Sequence, residues 1–152
     1  MKVFLALLMF CSFAYAQPVV QSVQDAPEYH PSQDLANWFE SLKRPDFDAS
    51  VSSVMSCCDA GDAYPIVILQ EATIGGSQED GIAQVTDTSA RIVVRPDGSR
   101  KYRSPWNGPN PFKFTGKKIT REMDGNPTPT AWVFYSVFNN IIYCVVPLPP
   151  GS

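Results

Sequence analysis

Groups that usually carry chemistry are scarce in this chain. It has one histidine, His30. Histidine is the commonest base for activating a serine or cysteine nucleophile. Here it lies in residues 17–31, which are broken by Pro18, Pro27 and Pro31 and have no hydrophobic periodicity. A Ser–His or Cys–His pair therefore has no fixed base to build on. Asp59 and Asp62 flank Gly61, but the alternating oxygen ligands and terminal glutamate of a full calcium loop are missing. Carboxylates are plentiful, yet no pair stands out as an acid–base couple for glycoside hydrolysis. No internal repeat is present, and no apolar run reaches the about 20 residues needed to cross a bilayer as a helix. The chain is expected to be non-enzymatic and to need no cofactor.

What is present begins with a targeting signature. Lys2 precedes an apolar run over residues 3–13, and Ala14-Tyr15-Ala16 has the small-x-small form of a cleavage site. Residues 1–16 are expected to be a signal peptide, with a periodic-free, flexible leader over 17–31. A lipoprotein reading would make Cys11 the lipidated residue, but bulky Phe10 stands where a small side chain is wanted. The product is expected to be periplasmic or secreted, with no transmembrane segment.

Removing Cys11 with the signal leaves Cys57, Cys58 and Cys144, an odd number for an exported chain. The structural reading is a disulfide from Cys57 or Cys58 to Cys144, closing a loop of roughly ninety residues. A bond between the adjacent Cys57 and Cys58 would be strained and labile. The sharper alternative is a thiolate site for Cu(I) or Zn(II), or a redox centre, built from Cys57, Cys58 and Cys144.

The fold reads as mainly β, a small antiparallel sheet or barrel-like domain over residues 32–147, with one short N-terminal helix and a proline-rich tail over 148–152. Ser32 can cap that helix; Leu35, Trp38, Phe39 and Leu42 form one apolar face, and Lys43, Arg44 and Pro45 close it. Ile66-Val67-Ile68-Leu69 reads as a strand buried on both faces. Residues 82–86 are a weaker strand. Residues 91–95 and 100–103 form a hairpin about the Pro96-Asp97-Gly98-Ser99 turn. Phe112-Lys113-Phe114 and residues 118–121 are short strands. Residues 131–138 and 141–146 form a second hairpin joined by Asn139-Asn140, since asparagine tolerates the positive φ of a tight turn.

Charge is segregated although the formal net charge is only −3. Acids dominate up to Asp87. From Arg91 to Arg121 nine lysines and arginines face Asp97 alone, interleaved with Tyr102, Trp106, Phe112 and Phe114. Such a stretch is either a solvated strand surface balanced by the acidic half or a polyanion-binding face. The candidate binding residues are Arg100, Lys101, Arg103 and Trp106. The partner they suit is an anionic envelope component, a glycan or a lipid headgroup, since export disfavours nucleic acid.

The Trp38-Phe39-Glu40-Ser41-Leu42-Lys43-Arg44-Pro45 segment is followed by Ser56-Cys57-Cys58-Asp59. Near the C-terminus stand Asn126-Pro127 and Tyr143-Cys144-Val145-Val146-Pro147. In these features the chain resembles an uncharacterised group of small exported proteins from proteobacteria and their phages. The resemblance touches both ends of the mature domain and implies a compartment and a layout rather than a mechanism. Members of that group often carry a further cysteine soon after the pair, where this chain has Asp62-Ala63-Tyr64, so a four-thiolate site is not available in one chain.

Overall fold

The computed structural model describes residues 25–46, 49–50, 54–120, 125–149 and 151. The expected signal peptide, Cys11, leader residues 17–24, Arg121, Asp124, Pro150 and Ser152 lie outside them. In chain order the elements are β1 (Glu28–Tyr29), α1 (Gln33–Ser41), α2 (Cys57–Ala60), β2 (Asp62–Gln70), β3 (Glu79–Val85), β4 (Arg91–Val94), β5 (Arg100–Arg103), β6 (Phe112–Thr115), a 3-10 turn (Gly116–Lys118), β7 (Ala131–Ser136) and β8 (Ile141–Val146). The chain is mainly β, as its alternating runs imply. Among the described residues no helix is long and apolar enough to cross a membrane.

Helix α1 starts where the sequence places it. The Ser32 hydroxyl accepts the Leu35 N–H at 3.2 Å, and Asp34 puts negative charge in the first turn. It stops earlier than expected, at Ser41. Pro45 disfavours helical geometry at Arg44, and residues 42–44 run extended instead. Lys43 bridges Ser56, the Cys57 N–H donates to the Leu42 carbonyl at 3.0 Å, and the Arg44 N–H donates to Met55 at 2.8 Å. The apolar face docks on β7. Phe39 meets Trp132 and Phe134 edge-on, with centroids 5.0 and 5.3 Å apart, contacts worth about 0.5–1.5 kcal/mol each beyond their burial.

Five strands form an antiparallel sheet in the order β6-β3-β2-β7-β8. The segment after β6 then crosses from one edge of the sheet to the other. Ile119 bridges Val145 in parallel, and the Thr120 N–H donates to the Val145 carbonyl at 3.0 Å. The sheet is thereby nearly closed, which is the barrel-like form expected. Both faces at its centre are covered: Tyr64, Val133 and Val145 share one, and Phe134 and Val146 share the other, where α1 packs, all fully buried. The end of β3 is satisfied by a side chain rather than a strand: the Asn110 amide accepts from the Val85 N–H at 2.9 Å and donates to its carbonyl at 3.0 Å.

Three details of this sheet depart from the sequence reading. Val67 and Leu69 are more than half exposed, so β2 is not buried on both faces. Its pairing with β7 ends at Ile66 opposite Ala131, which leaves the later residues without cover on that side. Residues 118–121 do not form a strand among the described positions; the 3-10 turn and the single bridge at Ile119 take their place. The β7–β8 hairpin pairs Ser136 with Ile141, so its loop spans residues 137–140 rather than two asparagines. Asn140 takes the expected left-handed conformation (φ 55), and Phe138 points into solvent.

The second sheet has three strands in the order β1-β4-β5. The β4–β5 hairpin matches the sequence reading, and Gly98 at φ 84 supplies the positive φ of its turn. The last part of the presumed flexible leader belongs to this sheet. Glu28 and Tyr29 pair in parallel with Ile92 and Val93, and the Ile92 N–H donates to the Pro27 carbonyl at 3.0 Å. Two residues are too few to show a period, so nothing in the sequence marked them.

Candidate functional site

Two sheets and two helices leave a small cleft between them, and the cysteine pair stands at its edge. Helix α2 is a single turn capped by Ser56, whose hydroxyl accepts the Cys58 N–H at 3.2 Å. Neighbours on a helix point about 100° apart. Cys57 therefore turns into the core while Cys58 turns toward the cleft. Cys57 is bonded to Cys144 of β8, with Cα atoms 5.9 Å apart, and both are fully buried. This resolves which cysteine of the pair is bridged. Cys58 remains a free, half-buried thiol. With Cys57 and Cys144 joined to one another, the three-thiolate arrangement does not form.

The cleft encloses about 120 Å³. Phe39 of α1, Pro65 of β2 and Trp132 of β7 give it an apolar wall, and Arg95, Lys101 and Arg103 reach it from the β4–β5 hairpin. Arg103, only 6% exposed, is a structural cation. Its guanidinium donates to Asp87 at 2.8 Å, to the Ser89 carbonyl at 2.9 Å and to the Ala63 carbonyl at 3.3 Å, and it lies 4.9 Å from the centre of the Tyr64 ring. Arg91 adds a second bond to the same Asp87 oxygen at 3.1 Å. The Lys101 ammonium sits 3.0 Å from Asp62 and donates to the Cys58 carbonyl. No ion pair engages Arg95 among the described residues.

These neighbours set the protonation of the site. Burial opposes ionisation of Asp87, but hydrogen bonds from Arg103, Arg91 and the Ser89 N–H outweigh it and hold its carboxyl down at about 2. Burial raises the Cys58 thiol, and Lys101 and Arg95 only partly offset this. Burial also pushes the Tyr64 phenol upward; its hydroxyl donates to the Ser104 carbonyl at 2.7 Å.

A pH prediction follows from Asp87. Its folded pKa lies below the ordinary 3.8, so it contributes stability that is complete above about pH 4 and is lost as pH falls toward about 2. Asp87→Asn is expected to be less stable than the wild type at neutral pH and to lose less stability between pH 4 and pH 2. Denaturant titrations across that window check this; parallel acid limbs for the two proteins would refute it.

The four candidate binding residues do not form one surface. Arg100 is exposed and pairs with Glu28. Lys101 stands at the cleft, and Arg103 is turned inward. Trp106 is half-buried on the far side of Tyr64, in an aromatic stack with Tyr64, Phe112 and Tyr135 at centroid distances of 5.2, 5.4 and 4.3 Å. Its indole N–H donates to the Pro109 carbonyl at 3.2 Å. Sequence reasoning missed the roles of Asp87 and of the Phe39–Trp132 wall. The only signal for the former was the four-residue spacing from Asp87 to Arg91. No protein-family model, curated protein or solved structure matches the chain.

Proposed function

We propose that this is an exported, non-enzymatic binding domain of the bacterial envelope. It belongs with the small proteobacterial and phage-encoded proteins that it resembles, and acts in the periplasm or outside the cell. The signal-like segment at residues 1–16 supports that compartment, and a buried disulfide is compatible with oxidising surroundings. The ligand is an anionic group, on a glycan or a lipid head, met by the cations of the β4–β5 hairpin. One observation carries this reading. Arg95 has no ion-pair partner among the described residues, and Arg100 and Lys101 beside it, though paired with Glu28 and Asp62, keep their side chains 54% and 42% exposed. Such groups attract an anionic surface at little desolvation cost. Redox work at the cysteines is the weaker reading, because burial raises the Cys58 thiol and so favours its protonated form.

Arg95→Glu combined with Arg100→Glu reverses two surface charges without touching the core. Association with a soluble anionic polysaccharide, or with vesicles containing an anionic phospholipid, is expected to weaken at least about tenfold at low salt. The melting temperature should fall only slightly, because the Arg100–Glu28 pair that is lost is exposed. Unchanged association with both probes would refute the proposal, and loss with only one of them identifies the ligand class.

A further inference from the structure

A second feature lies toward the far end of β2. That strand pairs with β7 only from Asp62 to Ile66. Beyond Ile66 it keeps β3 on one side, with Val67 opposite Gln84 and Ile68 opposite Ala83, and among the described residues faces no strand on the other. The tail after β8 passes nearby, but Pro147 and Pro149 have no N–H to donate and cannot complete the ladder. What remains along the open edge is a groove of about 520 Å³, within the range of small-molecule sites. Val67, Ile74 and Leu148 on its walls are 51%, 52% and 38% exposed. Large aliphatic side chains gathered at an open groove are uncommon on a monomeric surface unless something covers them.

Ile74 and Ile119 have a second side. They also wall a hollow whose other lining includes Lys43, Arg44 and Lys117. The one acid on that lining, Asp46, is already engaged by Lys118 and by Arg44. Lys43 and Lys117 are exposed, and no ion pair engages either among the described residues. The apolar groove and the cationic hollow thus adjoin, with Ile74 and Ile119 as their shared wall. Glu71 lines the groove itself, so a negative head is disfavoured there and favoured at the lysine end.

We propose that these adjoining pockets bind a single anionic amphiphile, with a long acyl chain in the groove and its carboxylate or phosphate head reaching over Ile74 to Lys43 and Lys117. They share no residue with the cleft, and the proposal stands whether or not the β4–β5 hairpin binds an anion.

The test uses the mature chain and monomeric cis-parinaric acid, a fluorescent fatty acid. Saturable fluorescence enhancement is expected. Val67→Asp combined with Ile74→Asp alters two half-exposed positions and should weaken binding at least about tenfold, the scale of losing a side chain's apolar contact. Lys43→Glu combined with Lys117→Glu should weaken the acid by a similar factor and leave the methyl ester of the same chain unchanged. Arg95→Glu with Arg100→Glu should change neither. The proposal is overturned if binding is not saturable, or if a folded Val67/Ile74 variant binds as the wild type does. It also fails if the lysine variant loses acid and ester alike, or if an extended apolar peptide saturates the groove while the fatty acid does not bind.

Discussion

Removing the Cys57–Cys144 bridge by the double substitution Cys57→Ala and Cys144→Ala is expected to lower stability by about 4–5 kcal/mol. The bonded residues are 87 positions apart. A cross-link of that span restricts the unfolded chain strongly, and the loss on cutting it follows from the entropy returned to that state. The folded state has a stake as well. Helix α2 is one turn long, far too short to be stable alone, and its tie to β8 sets the direction of Cys58 and of the cleft edge. The melting temperature should fall on the order of 10–20 °C. Alanine at both positions avoids leaving a buried thiol or hydroxyl without a partner. Cys58→Ala is the matched control and should cost less than about 1 kcal/mol, because its side chain is only half-buried and unbonded. Equilibrium unfolding of the three proteins decides the matter; a double variant within about 1 kcal/mol of wild type would show that the bridge is not what holds the fold.

Gly116→Ala is expected to be as damaging, for a different reason. Gly116 opens the 3-10 turn that carries the chain from β6 across to β8. A Cβ there would lie 1.7 Å from the Thr73 carbonyl oxygen, 2.7 Å from its carbon and 2.9 Å from the Gly76 nitrogen. All three are backbone atoms and cannot rotate away. The loop holding Thr73 is itself fastened to the turn, since the Gly75 N–H donates to the Gly116 carbonyl at 2.9 Å. Making room for one methyl group must therefore part the loop from the turn and reopen the sheet. A loss of about 4 kcal/mol or more is expected, at the extreme of single substitutions. Gly98→Ala separates sterics from conformational preference. Its φ is +84 and nothing lies within 4 Å of the added carbon, so only the left-handed backbone is penalised, by about 1 kcal/mol. Thermal melts of both variants should differ clearly. Equal and small losses would mean that the turn is not packed against the loop.

The elements legible in the sequence were those whose information is local. Ser32 caps α1 because its hydroxyl reaches an N–H three residues on. The β4–β5 hairpin appears because a proline–aspartate–glycine turn stands between two short runs of strand formers. Cys144 is matched to the Cys-Cys pair because few thiols were available. Elements that depend on a distant partner were read less well. Residues 42–44 look like the end of a helix until residues 54–57 arrive to pair with them. Glu28 and Tyr29 look unstructured until Ile92 and Val93 are placed beside them. Val67 and Leu69 look buried until β7 proves to begin opposite Ile66.

The candidate site shows the same division. The segregation of basic residues into the stretch beginning at Arg91 is a property of the chain order, and it drew attention to the β4–β5 hairpin. It could not sort those cations. Arg103 turns inward to Asp87 and two carbonyls, Arg100 outward to Glu28, and Trp106 away behind Tyr64, because the twist and packing of two sheets decide which side of each strand meets solvent. The sequence by itself determined the strand-rich class and the capped amphipathic helix and favoured a disulfide ending at Cys144, since period, capping and thiol count act over a few residues or on a short list of partners. Only the tertiary structure chose Cys57 over Cys58, closed the sheet through Gly116 and opened the groove beside Val67. Each of those depends on the angle or distance between segments far apart in the chain, which residue order alone does not encode in readable form.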